Sequence, residues 1–458
     1  MQSWVPDLAA EAAPKYLAIA GALARDIEAG VLRPGDRLPP QRALAERLAV
    51  DLTTVTKAYN EVRRLGLIEG GGRRGSFVRA DVGGQAEATG AVLTDTGMNL
   101  PPEPLGGRFA ACFREGVAEL LAGPGAAGRF QYQPSGGTQP DRAAGAALLA
   151  SRGIDASEDN VLVASGGQNA LHAILGTLLS AGDTICAGRF AYPGLLALAR
   201  RFGLAVRAID GDGEGIDPHA LDLAARGGGV RALYVVPTND NPTAATMGEE
   251  RRRAIADVAR RHDLIVIEDD AYGLLPAKPL PPIAAFAPER TWHVTSLSKI
   301  ISPALRIAYL RAPTARDAWR LAAELHETAI MPPPVSAALA TLWLRNGSFA
   351  ALVAEVRAEA AARQAIAADI LRDLDYATHG EGYHLWLALP AGIAADLVGT
   401  LRPAGLSVVT SDAFAVDPAG AGRALRISIG GGLSRERLAR TLTMLDAMMQ
   451  GSRGVSLV

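Results

Sequence analysis

Cysteine is nearly absent: Cys112 and Cys186 are the only two in 458 residues. Two cysteines build no disulfide framework and suit a reducing cytoplasm. Neither has a Cys or His neighbour at metal-ligand spacing, so no cysteine-based metal site is expected and both read as core residues. Long apolar stretches are also missing. No run of about 18 uncharged apolar residues occurs, so no membrane span is expected. Met1–Asp7 lacks a basic region followed by an apolar one, so no signal peptide is expected. An excess of one charge sign is missing too, with a net charge of −2. The chain as a whole therefore carries no electrostatic footprint for nucleic acid. The charge is uneven, however. Residues 1–80 hold 12 Lys and Arg against 9 Asp and Glu, so the basic excess lies at the amino-terminal end.

The length predicts two or three domains. Hydrophobic residues at 49% against 21% charged predict a large core. Residues 14–79 read as a small helical unit ending in a hairpin. Tyr16, Ile19, Leu23 and Ile27 fall at helical spacing. A short helix is predicted from Pro40 to Leu48, and a third to Leu65 with Leu52, Val55, Tyr59 and Val62 on one face. Leu67–Glu69 and Ser76–Arg79 read as strands around a basic turn. Residues 81–97 are poor in large apolar side chains and read as a linker. From Met98 to about 450, helices alternate with continuous apolar strands, among them 160–163, 184–186, 232–236, 264–267 and 291–294. That grammar predicts a buried, mostly parallel α/β sheet. A large lobe is expected at about 125–340 and a smaller α+β lobe at about 341–450.

Three motifs follow one another in the larger part: Asn241-Pro242-Thr243, Asp269-Asp270-Ala271-Tyr272 and Ser296-Leu297-Ser298-Lys299, with Arg306 seven residues on. The steps are 28 residues from Asn241 to Asp269 and 30 from Asp269 to Lys299. The residue types suit pyridoxal phosphate. A lysine carries the cofactor aldehyde, a carboxylate keeps a pyridine nitrogen protonated, and N–H groups or cations cup a phosphate. Upstream, Ser165-Gly166-Gly167-Gln168 follows a strand and opens a helix, as a phosphate cradle does. The order resembles the fold-type I aminotransferases. That resemblance implies Lys299 as the Schiff-base lysine, with Asp269 and Tyr272 beside it as catalytic groups. It implies Asn241 and Tyr272 on the ring hydroxyl, Tyr192 stacked on the ring, and Gly166, Gly167, Gln168, Ser296, Ser298 and Arg306 around the phosphate. It further implies Tyr132 reaching the partner subunit's phosphate, and Arg426, with Asn241, on a substrate carboxylate. Three positions depart from the family pattern, where Ala244, Ala304 and Ala308 stand at usual glycines.

Residues 10–80 resemble the GntR-type winged helix-turn-helix. The matching residues include Gly30–Pro39, Arg42–Ala45, Thr53–Tyr59 and Gly75–Val78. The resemblance implies that Thr53, Thr54, Thr56 and Lys57 face the major groove, that Arg42 meets phosphate, and that Arg73 and Arg74 flank the minor groove. The two halves together resemble the MocR-type regulators. The expected fold is a winged helix-turn-helix followed by an α/β fold-type I transferase domain with a smaller α+β lobe. The implied protein is a cytoplasmic regulator carrying pyridoxal phosphate. It senses a small amino compound through aldimine exchange at Lys299 and binds double-stranded DNA at two half-sites as a head-to-tail, domain-swapped homodimer. Two alternatives stay open: a working aminotransferase with an accessory DNA-binding domain, and a sensor of pyridoxal phosphate itself.

Overall fold

The computed structural model describes Trp4, Pro6, residues 15–28, 31–32, 35–64, 67–70, 75–78 and 97–455, less 105, 124, 391, 392 and 421. Two compact units divide at Thr94. In the first, helices α1 (Lys15–Glu28), α2 (Gln41–Arg47) and α3 (Leu52–Arg64) precede a two-stranded wing, β1 (Ile68–Gly70) and β2 (Ser76–Val78). The wing is antiparallel, with Ile68 opposite Val78. The Asp51 carboxylate accepts from the Thr53 N–H (2.8 Å) and starts α3. The helical spacing seen in the sequence becomes the core: Ile19, Leu23 and Ile27 meet Leu44, Val55, Tyr59 and Val62, all buried. Burying each such aliphatic side chain contributes about 1.5–3 kcal/mol. Tyr59 keeps its hydroxyl satisfied by donating to Pro39 O at 2.8 Å. The predicted basic turn with Arg73 and Arg74, and the linker but for Gly97, lie outside the described residues.

The second unit is built on a seven-stranded sheet. Its strands are β3 (Val161–Ala164), β4 (Thr184–Gly188), β5 (Ala205–Ile209), β8 (Val230–Val235), β9 (Ile265–Asp269), β10 (Thr291–Ser296) and β11 (Ala308–Arg311), in the order β3-β11-β10-β9-β8-β4-β5. A small hairpin, β6 (Gly211–Asp212) and β7 (Gly215–Ile216), follows β5. Every pairing in the large sheet is parallel except those of β11, which runs antiparallel to β10 and β3. Strands β3, β10 and β11 are buried along their whole length, as expected of a sheet covered on both faces. A second sheet, β12 (Tyr376–Thr378), β13 (His384–Ala388), β14 (Ser407–Thr410) and β15 (Ala424–Ser428), is antiparallel in the order β12-β13-β15-β14. Helix Ser348–Ile370 packs against helix Arg435–Val455 beside it. No single described helix is long and apolar enough to cross a membrane.

Parallel strands deliver their carboxyl ends to one rim, where open α/β sheets bind ligands. Here β9 ends at Asp269, β10 at Ser296, and β3 leads into Ser165 and Gly166.

Candidate functional site

A cleft of about 840 Å³ of empty space, open to solvent, lies at that rim. Its walls include Gly167, Gln168, Tyr192, Asn241, Asp269, Tyr272, Ser296, Ser298, Lys299 and Arg306. Residues from five separate stretches of sequence thus converge. Gly166 stands just behind this wall, with φ +90°, and a Cβ there would lie 2.7 Å from Arg306 Nη2. Only glycine allows both that backbone angle and that approach. Arg306 donates to Ser165 O at 3.2 Å and itself sits at φ +51°. Helix Gly167–Leu178 begins here beside Arg306 and Ser296 with no side-chain cap, so its start can serve as an anion cradle. Ser298 Oγ and Gln168 Oε1 are buried without a hydrogen-bond partner.

Electrostatics single out two groups. Asp269 accepts a hydrogen bond from the Tyr234 hydroxyl at 2.8 Å. Burial pushes its carboxyl up to about 6 against that bond, with Asp270 raising it further. Asp270 is itself held by Arg152 at 2.7 Å. Burial, and then the Arg426 charge, bring the Lys299 ammonium down to about 8, with Asp269 opposing. At pH 7 about a tenth of such an amine is neutral, far more than of an ordinary lysine. The rate at which Lys299 condenses with added pyridoxal phosphate, followed by absorbance, is therefore expected to rise about tenfold per pH unit below pH 8 and to flatten above it. A profile flat from pH 6 to 9 would contradict this. The stability sign follows. The folded value lies below the unfolded one, so the unfolded chain binds the extra proton between about pH 8 and 10.5. Stability from this group is complete above that window, falls as pH drops across it and is fully lost below about 8.

Arg426, on β15, is buried. It donates to Gly97 O at 2.6 Å and meets Asn241 Oδ1 at 3.5 Å, with its guanidinium 5.7 Å from the Phe414 ring. Tyr132 does not line the cleft. It is 82% exposed and borders a separate groove with Arg129, Gln133 and Arg345. Ala244 adopts φ +60°, so the methyl at this usual glycine costs about 1 kcal/mol of backbone strain. Ala308 continues β11 without strain, opposite Ser296.

Four residues of the site carried no sequence motif: Asn99, Tyr234, His384 and Ser428. Asn99 is 1% exposed. Its amide donates to the Tyr272 hydroxyl (3.0 Å) and meets His384 Nδ1 (3.1 Å), and its Oδ1 accepts from Ser428 Oγ (2.7 Å). Lys299 Nζ donates to the Asn99 backbone oxygen at 2.6 Å, 200 residues away in sequence. His384 Nε2 lies 3.0 Å from Asp240 O. A carbonyl only accepts, so that nitrogen carries the proton and Nδ1 accepts from Asn99. Burial holds the ring down to about 3, hence neutral.

In the first unit, Arg42 and Lys57 are exposed, and so are Thr53 and Asn60. Thr54 and Thr56 are half-buried. The Thr56 hydroxyl donates to Gln41 Oε1 at 2.8 Å, which ties α3 to α2 beside Arg42.

Residues 15–78 match the bacterial regulatory proteins of the gntR family, and residues 124–445 match aminotransferase class I and II. The chain is 30% identical to the uncharacterized HTH-type transcriptional regulator YdeF of Bacillus subtilis (strain 168), over 98% of this chain and 97% of that one. It is 27% identical to the vitamin B6 salvage pathway transcriptional repressor PtsJ of Salmonella typhimurium, over 88% and 91%. Among solved structures it resembles the α-aminoadipate aminotransferase LysN of Thermus thermophilus, complexed with N-(5'-phosphopyridoxyl)-L-leucine. The TM-score is 0.70 at 24% identity, over 81% of this chain and 97% of that one. That likeness shows the fold of the second unit.

Proposed function

The chain belongs to the GntR-family bacterial regulators whose larger domain is an aminotransferase class I and II fold, the MocR-type regulators, and on that premise we propose that it reads a small amino compound in the cleft around Lys299 and passes the result to DNA. One observation carries this reading. Lys299 Nζ and Arg426 Nη2 grip two carbonyl oxygens of one short segment, those of Asn99 and Gly97. An amine-reactive lysine and a carboxylate-sized fork therefore face one short segment, at carbonyls two residues apart.

The residues fit pyridoxal phosphate. The unpartnered Ser298 Oγ, the uncapped helix start and Arg306 would hold its phosphate. Asp269 would hold a proton at the ring nitrogen, Asn241 and Tyr272 would meet the ring hydroxyl, and Tyr192 would cover the ring. When bound, the cofactor supplies an aldehyde that condenses reversibly with primary amines. Lys299, kept partly neutral by burial, is the chain's own amine for that chemistry. Arg426 would orient a ligand's carboxylate or sulfonate, so α-amino acids, ω-amino acids and aminosulfonates are the candidate classes. Exposed Tyr132, bordering its own groove, fits a contribution to the partner's site in a head-to-tail homodimer. Such a dimer would read two half-sites on cytoplasmic DNA.

A ligand switches the protein only if it binds one arrangement better than another. The test is an absorbance titration of the purified protein, loaded with pyridoxal phosphate, with L-alanine, 4-aminobutyrate and 2-aminoethanesulfonate, reading DNA affinity in the same samples. A spectral shift with one compound that also changes DNA affinity, without turnover, is the expected result. Steady turnover with a keto acid and no effect on DNA would favour an enzyme. Asp269, Tyr272 and Lys299 lining one cleft are compatible with that second reading. A DNA response to pyridoxal phosphate alone would instead make the cofactor the signal, in keeping with the name of the PtsJ relative.

A further inference from the structure

The segment Gly97–Glu103 lines the cleft through Met98 and Leu100 and is held at several points. Arg426 takes the Gly97 oxygen and Lys299 the Asn99 oxygen. The Asn99 side chain, fully buried, is shared among Tyr272, His384 and Ser428. Downstream, the Gly431 N–H donates to Leu100 O and Pro101 O at 3.2 Å each, and the Glu103 N–H donates to Gly431 O at 3.4 Å. Gly430 makes room for this, because a Cβ there would overlap Leu100 O. The sequence offered no sign of it. Composition placed Gly97 in the linker, yet its carbonyl stands on the buried arginine.

We infer that this segment is an internal ligand, a strap whose Gly97 carbonyl holds the Arg426 guanidinium until the carboxylate or sulfonate of a bound compound replaces it. The inference rests on the reading of Arg426 as the anion-binding group. A neutral carbonyl is the weaker partner for a guanidinium. A carboxylate adds an opposite charge and accepts two parallel N–H bonds from the fork, which makes it the stronger partner. The exchange forms and breaks no covalent bond. The Asn99 amide is the strap's anchor, and because its partners include Tyr272, the strap also positions a cleft hydroxyl. Upstream of Gly97 the sequence continues through residues 81–96 to the helix-turn-helix. Freeing Gly97–Leu100 would lengthen that tether by about 13 Å, at 3.3–3.6 Å per extended residue. Occupancy of Arg426 would in this way become slack in the connection to the DNA reader.

Hydrogen exchange on the full-length protein, read by mass spectrometry over residues 97–103 and 428–432, tests this without any turnover. Propionate, a carboxylate with no amine, serves as one probe and propylamine, an amine with no carboxylate, as the other. Propionate is expected to speed exchange at Glu103 and Gly431 by roughly tenfold, the loss of one charge-assisted hydrogen bond, while propylamine does not. Arg426→Met should exchange fast without any probe and ignore propionate. Asn99→Ala should also exchange fast, and Asn99→Gln should restore part of the protection. Unchanged or slower exchange with propionate overturns the strap, because slower exchange would mean that the segment closes over the ligand. Exchange in Arg426→Met equal to that of the unaltered protein overturns it as well. Faster exchange with propionate, alongside no spectral or DNA response to any amino compound, would retire the proposed sensing function and leave the strap standing.

Discussion

Lys299→Ala is expected to abolish the absorbance band that develops when pyridoxal phosphate is added, and with it every ligand-dependent change in DNA affinity. Among the described residues no other lysine lines the cleft, so none of them can replace it by a rotamer change. The side chain is also structural, since its ammonium satisfies the Asn99 carbonyl at 2.6 Å. Truncation leaves that buried acceptor unpaired, at a cost of about 1–3 kcal/mol. Lys299→Arg separates the two effects. A guanidinium keeps a donor for the carbonyl and stays protonated, so it cannot condense with an aldehyde. The arginine variant should melt close to the unaltered protein and still show no band. Retention of the band in either variant would remove Lys299 from the proposed chemistry. Loss of the band in alanine but not in arginine would mean that the lysine acts only through its hydrogen bond.

Much of this site was legible because pyridoxal phosphate chemistry places its groups at strand ends, and strand ends are what apolar runs reveal. The predicted strand 264–267 is observed as β9, extended to Asp269. The apolar run itself stops short of that end because Glu268 is charged. It is buried only because its carboxylate takes the Ile283 and Ala284 N–H groups and lies 2.9 Å from His293. Strand β10 likewise carries polar Thr291, His293 and Thr295, fully buried and each with a partner. Periodicity detects apolar burial; it does not detect polar burial that is satisfied by distant neighbours. Asn99 and Ser428 meet across 329 residues, and Asn99 and His384 across 285. No local pattern encodes such pairs. The order of the motifs, by contrast, did carry across, since Asn241, Asp269, Ser296, Ser298, Lys299 and Arg306 all line one cleft. Of the described residues expected to meet the cofactor, Gly166 stands just behind the wall and Tyr132 stands clear of it. A role completed by a second copy would leave that mark on a single chain.

The double variant Arg42→Ala, Lys57→Ala is expected to weaken binding to operator DNA by two to four orders of magnitude. Two features of the first unit lead to this. Both side chains are exposed, so neither is needed for the core formed by Leu44, Val55 and Tyr59. Each also follows directly in sequence a member of a side-chain bond that joins the two helices, Thr56 to Gln41. Arg42 and Lys57 are thus carried by a fixed platform and arrive at the phosphates without a large ordering cost. Each charge-assisted hydrogen bond lost is worth about 1.5–3 kcal/mol, which sums to the stated range. The salt dependence supplies an independent check. Removing two phosphate contacts should lower the slope of log affinity against log salt by about 1.8, at 0.9 per contact. A drop in affinity at unchanged slope would instead mark the pair as base readers, with the loss then differing from one operator sequence to another. An unchanged affinity would place the DNA surface elsewhere on the unit. Thr53→Ala should cost far less by comparison, because its hydroxyl is already engaged with Asp51 at the start of α3.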